Sequence, residues 1–187
     1  AVSAPDINVS DRDFTVVRDA KGREFIRFGL AAIKGVGDKA VNAILEARQA
    51  GGPFKSIFDF CERVDLGAVN HGTLEALVKA GSFDSTGAMR GALIRILDDA
   101  IKYGQGVAED RRSGQMSLFG GPESLPPPRQ APRISDEQWN EAEMLAHEKA
   151  VLGFYVTKHP LSSHEHTLRK YATASTADLK RFSDGTE

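Results

Sequence analysis

Leu30-Ala31-Ala32-Ile33-Lys34-Gly35-Val36-Gly37-Asp38-Lys39-Ala40 is the most constrained string in this chain. Ile33 precedes the two glycines. Val41, Ile44 and Leu45 follow them at the i, i+3, i+4 spacing of a helix that runs to Arg48. Two short helices must therefore reverse direction within a few residues. Gly35 and Gly37 permit positive φ and keep Cβ atoms away from an approaching ligand. Val36 is expected to point inward and pin the reversal to the core. The amides around Gly35, Gly37 and Asp38 then open the second helix. Unpaired N–H groups and the helix dipole make such a place favourable for an anion.

A helix-hairpin-helix of this kind suits a DNA phosphate. Lys34 and Lys39 add charge attraction to flanking phosphates, while Asp38 serves as the helix's N-terminal carboxylate. Such contacts fix position on a duplex but carry no base information. The plain alternative is a helix-helix turn that needs glycine only to pack. The apolar spacing on both sides favours DNA. A second candidate turn, Ala80-Gly81-Ser82-Phe83-Asp84, has one glycine, with Phe83 as core anchor and Arg90 as the nearest helping cation. Gly81, Ser82 and Arg90 are candidate backbone contacts, with packing alone the stronger reading.

The formal net charge of -2 makes any DNA contact local rather than a broad basic face. One cysteine, Cys61, excludes an internal disulfide and fits a reducing, cytoplasmic compartment. Its neighbours are apolar, so it reads as a core thiol. No apolar run approaches the roughly 20 residues a membrane span needs. The chain opens without a methionine or a signal peptide and ends without a closing element, as if cut from something longer.

The expected fold is mainly α with a small N-terminal β-hairpin over residues 1–29. Phe14-Thr15-Val16-Val17 and Glu24-Phe25-Ile26-Arg27-Phe28 are β-prone runs around a turn at Asp19-Ala20-Lys21-Gly22. A tandem helix-hairpin-helix domain occupies 30–104. Ser56 caps a helix through Val64, and Asn70 caps another through Ala80 that Gly81 stops. Met89, Leu93, Ile96, Leu97, Ala100 and Ile101 form a long apolar stripe. From Gly104 the pattern fades into a flexible connector, 105–134, rich in Gly, Ser, Arg and Pro. A C-terminal helical segment, 135–187, starts at Ser135 with Trp139, Ala142 and Leu145 as its spine. A short helix lies around Ser163 to Tyr171.

Within the connector stands Gln115-Met116-Ser117-Leu118-Phe119. Two large apolar residues sit side by side with no core to bury them. Either they tether the loop to its own domain, or they dock in a partner's pocket and order on binding.

Several strings coincide with one family. Arg27-Phe28-Gly29-Leu30-Ala31-Ala32-Ile33-Lys34-Gly35-Val36-Gly37, Phe58-Asp59-Phe60 and Leu77 to Asp84 resemble the helix-hairpin-helix region of bacterial replicative DNA polymerase III α subunits, the C-family polymerases. Gln115 to Phe119 resembles that family's Gln-x-x-Leu-Phe sliding-clamp motif. Glu148 to Leu161 is similar to the segment leading into its OB domain. The resemblance implies a non-catalytic piece from the end of the fingers to just short of the OB fold. It implies duplex DNA, the β sliding clamp and the rest of the polymerase holoenzyme as partners. Nucleotidyltransferase chemistry and its palm carboxylates would lie elsewhere in the parent. Where the family often has alanine after Ala80-Gly81, this chain has Ser82.

No cofactor or metal is expected. Asp98 and Asp99 diverge by a helical step and read as a solvated face, not the paired carboxylates of a two-metal site. Glu109-Asp110 falls in the connector. His159, His164 and His166 have no nearby cysteine, and His159 before Pro160 reads as closing a turn. Trp139 reads as core rather than a stacking platform for bases. Two other readings stay open: a free-standing helix-hairpin-helix scaffold of DNA repair, and a translesion relative of the same polymerases.

Overall fold

The computed structural model describes residues 2–116 and 130–171. Three short strands open the chain: β1 (Val2–Ser3), β2 (Thr15–Arg18) and β3 (Glu24–Arg27). β2 and β3 form the expected antiparallel hairpin, turned at Gly22, whose N–H donates to the Asp19 carbonyl. The sequence pattern did not single out β1, which pairs parallel to β3 and leaves β3 central.

Seven α-helices follow among the described residues: α1 (Asp38–Gly51), α2 (Ile57–Arg63), α3 (His71–Lys79), α4 (Arg90–Arg95), α5 (Leu97–Met116), α6 (Glu141–Leu152) and α7 (Glu165–Tyr171). The expected caps are present. Ser56 accepts from the Asp59 amide at 3.2 Å and Asn70 from the Thr73 amide at 2.9 Å, starting α2 and α3. Gly81, at φ +80°, ends the α3 region in the left-handed conformation glycine tolerates. One core gathers Val41 and Ile44 of α1, Ile57, Phe60 and Cys61 of α2, Leu74, Leu77 and Val78 of α3, and Leu93, Leu97 and Ala100 beyond. Burial pushes the Cys61 thiol pKa up to about 12, which fits an inert core group.

Three expectations are corrected. The apolar stripe from Met89 to Ile101 is not one helix, since Ile96 breaks it into α4 and α5. The connector does not begin at Gly104, because α5 continues to Met116 and carries Glu109 and Asp110 on helix. Gly104 is a contact glycine: a Cβ there would collide with the Cys61 carbonyl of α2. Finally, Ser135 does not start the C-terminal helix. The start is Asn140, which exchanges hydrogen bonds with Glu143 in a capping box. Residues 137–139 instead lie against α4 at Gly91, where an added Cβ would come within 3.0 to 3.2 Å of their backbone atoms. Trp139 is half-buried ahead of α6, its ring 4.3 Å from that of His147, and Ala142 is exposed; only Leu145 of the expected spine is buried.

Residues 158–171 belong to a separate unit. His159 caps a short 3-10 turn, Pro160–His164, by accepting from the Leu161 amide at 3.2 Å, and α7 follows.

Candidate nucleic-acid interface

The first hairpin is built from a single 3-10 turn, Leu30–Ala32, rather than a full helix, followed by α1. Its entrance is bolted to the preceding loop. The Leu30 and Ala31 amides donate to the carbonyls of Asp11 and Arg12, and a Cβ on Gly29 would strike that loop's backbone. Val36 is buried, as its position demanded, and Thr73 of α3 donates to the Gly35 carbonyl at 3.2 Å. From the other side the Val151 carbonyl of α6 accepts from the Lys34 amide at 2.9 Å.

The two glycines turn out to be different. Gly35 has φ +92°, so glycine is required by the turn itself. Gly37 is the N-cap of α1 at φ -85° and ψ 163°, an ordinary extended conformation. A Cβ at Gly37 would meet nothing within 4 Å. Nothing inside the fold asks for glycine there. No side chain caps α1, and residues 37–39 at its start are exposed. Lys34 and Lys39 are exposed, and neither forms an ion pair with a described residue. The Asp38 carboxylate is balanced by Arg12, whose Nη2 lies 2.7 Å away. The hairpin thus carries exposed residues at the start of α1 and two exposed lysines, Lys34 and Lys39, with Asp38 paired to Arg12. That arrangement can hold an oxyanion.

The second hairpin is different in kind. Gly81, Ser82 and Arg90 are all buried. The Gly81 and Ser82 amides donate to the Val78 and Leu77 carbonyls, and the Ser82 carbonyl accepts from the Ile7 amide. Arg90 lies against Gly81 and is held by Asp84 at 2.8 and 2.5 Å and by Glu148 at 3.5 Å. Burial opposes its charge, yet Asp84 and Glu148 outweigh that and raise its pKa. These three residues are buried in the packing of the turn, the stronger of the two readings its sequence offered.

Glu148 escaped notice at the sequence level. It is fully buried in α6 between Leu145 and Leu152, with which it shares a face. Its carboxylate accepts from the Val156 amide at 2.5 Å, the Thr157 amide at 2.8 Å and the Thr157 hydroxyl at 2.5 Å. A carboxylate on an otherwise apolar face was the available signal. Through Val151 and Glu148, the end of α6 braces both hairpins.

Of the clamp-like string, Gln115 and Met116 end α5, while Ser117, Leu118 and Phe119 lie outside the described residues. Asp98 and Asp99 are exposed in the first turn of α5, and His71 approaches Asp98 at 3.5 Å. Among the described residues, no three His, Cys, Asp or Glu cluster as metal ligands, and no helix is long and apolar enough to cross a membrane.

Comparison with known proteins bears on this geometry. A family model described as the helix-hairpin-helix motif matches residues 1–93. A DNA polymerase III subunit alpha of Pseudomonas aeruginosa is 39% identical over 98% of this chain, and one of Neisseria meningitidis is 40% identical over 94%. One of Deinococcus radiodurans is 43% identical over 95%. The chain belongs to the DNA polymerase III α-subunit family. It spans only 13 to 17% of the length of these family members, so it corresponds to a segment of such a subunit. Within the family segment, the motif match takes in both hairpins. The geometry separates them into one open corner and one closed turn.

Proposed function

We propose that this segment grips the backbone of primer-template duplex without sequence preference and tethers its polymerase to the β sliding clamp. The observation that carries the first half is Gly37: it is glycine at an exposed, uncapped helix start where the fold has room for a side chain. A phosphate oxygen approaching the amides of Gly37, Asp38 and Lys39 would give that glycine a purpose. Lys34 and Lys39 supply the charge. The reading departs from a two-hairpin grip, since Gly81, Ser82 and Arg90 are interior. Nucleotidyl transfer would belong to other parts of the cytoplasmic holoenzyme, and this segment supplies hold rather than chemistry.

The second half rests on the Gln115 to Phe119 string and its family resemblance. A motif of modest affinity, held beside a ring already on DNA, acts at high effective concentration and keeps the polymerase from leaving.

Two measurements test these halves. Binding to a labelled duplex across a salt series is expected to show a shallow log-log slope of about two to three, as for a few neutralised phosphates. A salt-independent or absent affinity would overturn the grip. A peptide spanning Gln115 to Phe119 is expected to bind the clamp, and the segment with Leu118 and Phe119 changed to alanine is expected to lose it. Failure of either expectation would remove the tether.

A further inference from the structure

We propose that the outer face of the N-terminal sheet is an interface, covered by an apolar surface from another part of the same polymerase chain. Side chains alternate across a strand, and the register aligns three β-branched residues on one face. Val2 pairs with Ile26, and Ile26 pairs with Val16. The three stand in a row across β1, β3 and β2, at 40%, 43% and 69% exposure. No side chain of the three strands belongs to the buried core. A sheet this small needs packing against something to be stable on its own. A contiguous row of exposed β-branched side chains is also an aggregation liability if left bare.

The chemistry of the row selects its occupant. Arg18 and Glu24 flank it and pair with each other at 2.6 Å. The face is therefore apolar and locally neutral, which suits protein and gives nothing to a phosphate backbone. Its size decides between protein partners. A separate chain or second copy needs roughly 1,000 Å² or more of buried surface, and three side chains at the edge of a domain fall well short. A surface already joined to the sheet through the chain needs far less, because the linkage supplies effective concentration. Family members have more than four-fifths of their length outside the region this chain matches, which provides such surfaces. The inference rests on family membership and is independent of the DNA grip.

The test uses the full-length α subunit with other accessible cysteines removed. Val16→Cys and, separately, Ile26→Cys are reacted with a maleimide and compared with Lys21→Cys in the neighbouring turn. Both sheet positions are expected to react at least ten-fold more slowly than the turn, at every protein concentration and without DNA. Equal rates would overturn the proposal. Protection that appears only with duplex present would overturn it in favour of nucleic acid. Protection that fades on dilution would overturn it in favour of a second copy.

Discussion

Substituting Gly37 by serine separates the two roles a helix start can play. At φ -85° with open space around it, position 37 accepts a side chain without strain. Serine is a good N-cap, and its Oγ would accept from the amide two or three residues on. Relative to glycine, that is worth only a few tenths of a kcal/mol, so folding stability is expected to stay level or rise slightly. The same Oγ occupies an amide that the phosphate reading assigns to DNA. Losing one hydrogen bond to a charged oxygen costs about 1.5 to 3 kcal/mol, or roughly 10- to 100-fold in Kd. The salt slope is expected to become shallower by up to about one if the displaced phosphate is no longer neutralised. Fluorescence anisotropy on a labelled duplex, alongside thermal unfolding, reads both quantities. Duplex affinity within two-fold of wild type, at unchanged or higher Tm, would refute the role given to these amides. Gly35→Ala is the contrast: at φ +92° it is expected to lose stability by about 1 kcal/mol or more through backbone strain.

Other outcomes follow from the interior. Glu148→Gln is expected to destabilise the fold by about 3 kcal/mol in urea unfolding, because it weakens the hold on Val156 and Thr157 and leaves Arg90 short of a counter-charge. Gly104→Ala is expected to cost about 1 to 3 kcal/mol, since the added methyl forces α5 away from the Cys61 carbonyl. Ser82→Ala is expected to raise stability by about 1 kcal/mol, because the buried hydroxyl has no hydrogen-bond partner. Burial and the nearby Lys79 lower the pKa of His147 below its usual 6.5, against the opposing pull of Glu143 and Glu75. A depressed histidine pKa means the unfolded state takes up the proton first as pH falls. Its contribution is therefore intact above about 6.5 and declines below that until the folded-state pKa is passed. Denaturation midpoints between pH 7.5 and 5 are expected to fall less in His147→Gln than in wild type.

The parts of the fold that read cleanly from the residues were those where local chemistry and tertiary role agree. Ser56 and Asn70 look like caps and are caps; Val36 sits between glycines and is buried. The errors share one cause, which is that a residue's usual local meaning was overridden by a neighbour distant in sequence. Gly104 has the look of a helix breaker, yet it is where two helices touch. Ser135 has the look of a cap, yet residues 137–139 are drawn across Gly91 first. Arg90 near a hairpin suggests a ligand-facing cation, yet it is buried, held by Asp84 and by Glu148, 58 positions along. At the candidate site the glycines were visible in the sequence, but their division of labour was not. A string cannot say which of two glycines has positive φ.

The hydrogen bond from the Lys34 amide to the Val151 carbonyl has a consequence for biosynthesis. Chains emerge from the ribosome N-terminus first. The exposed hairpin corner is encoded early, but one of its backbone ties is encoded late, beyond the whole of α5. Until α6 emerges, the corner lacks that tie, and Arg90 lacks its Glu148. The nascent chain should therefore acquire full resistance to proteolysis at the first hairpin only after residue 157 or so has cleared the exit tunnel, however early α1 itself becomes helical.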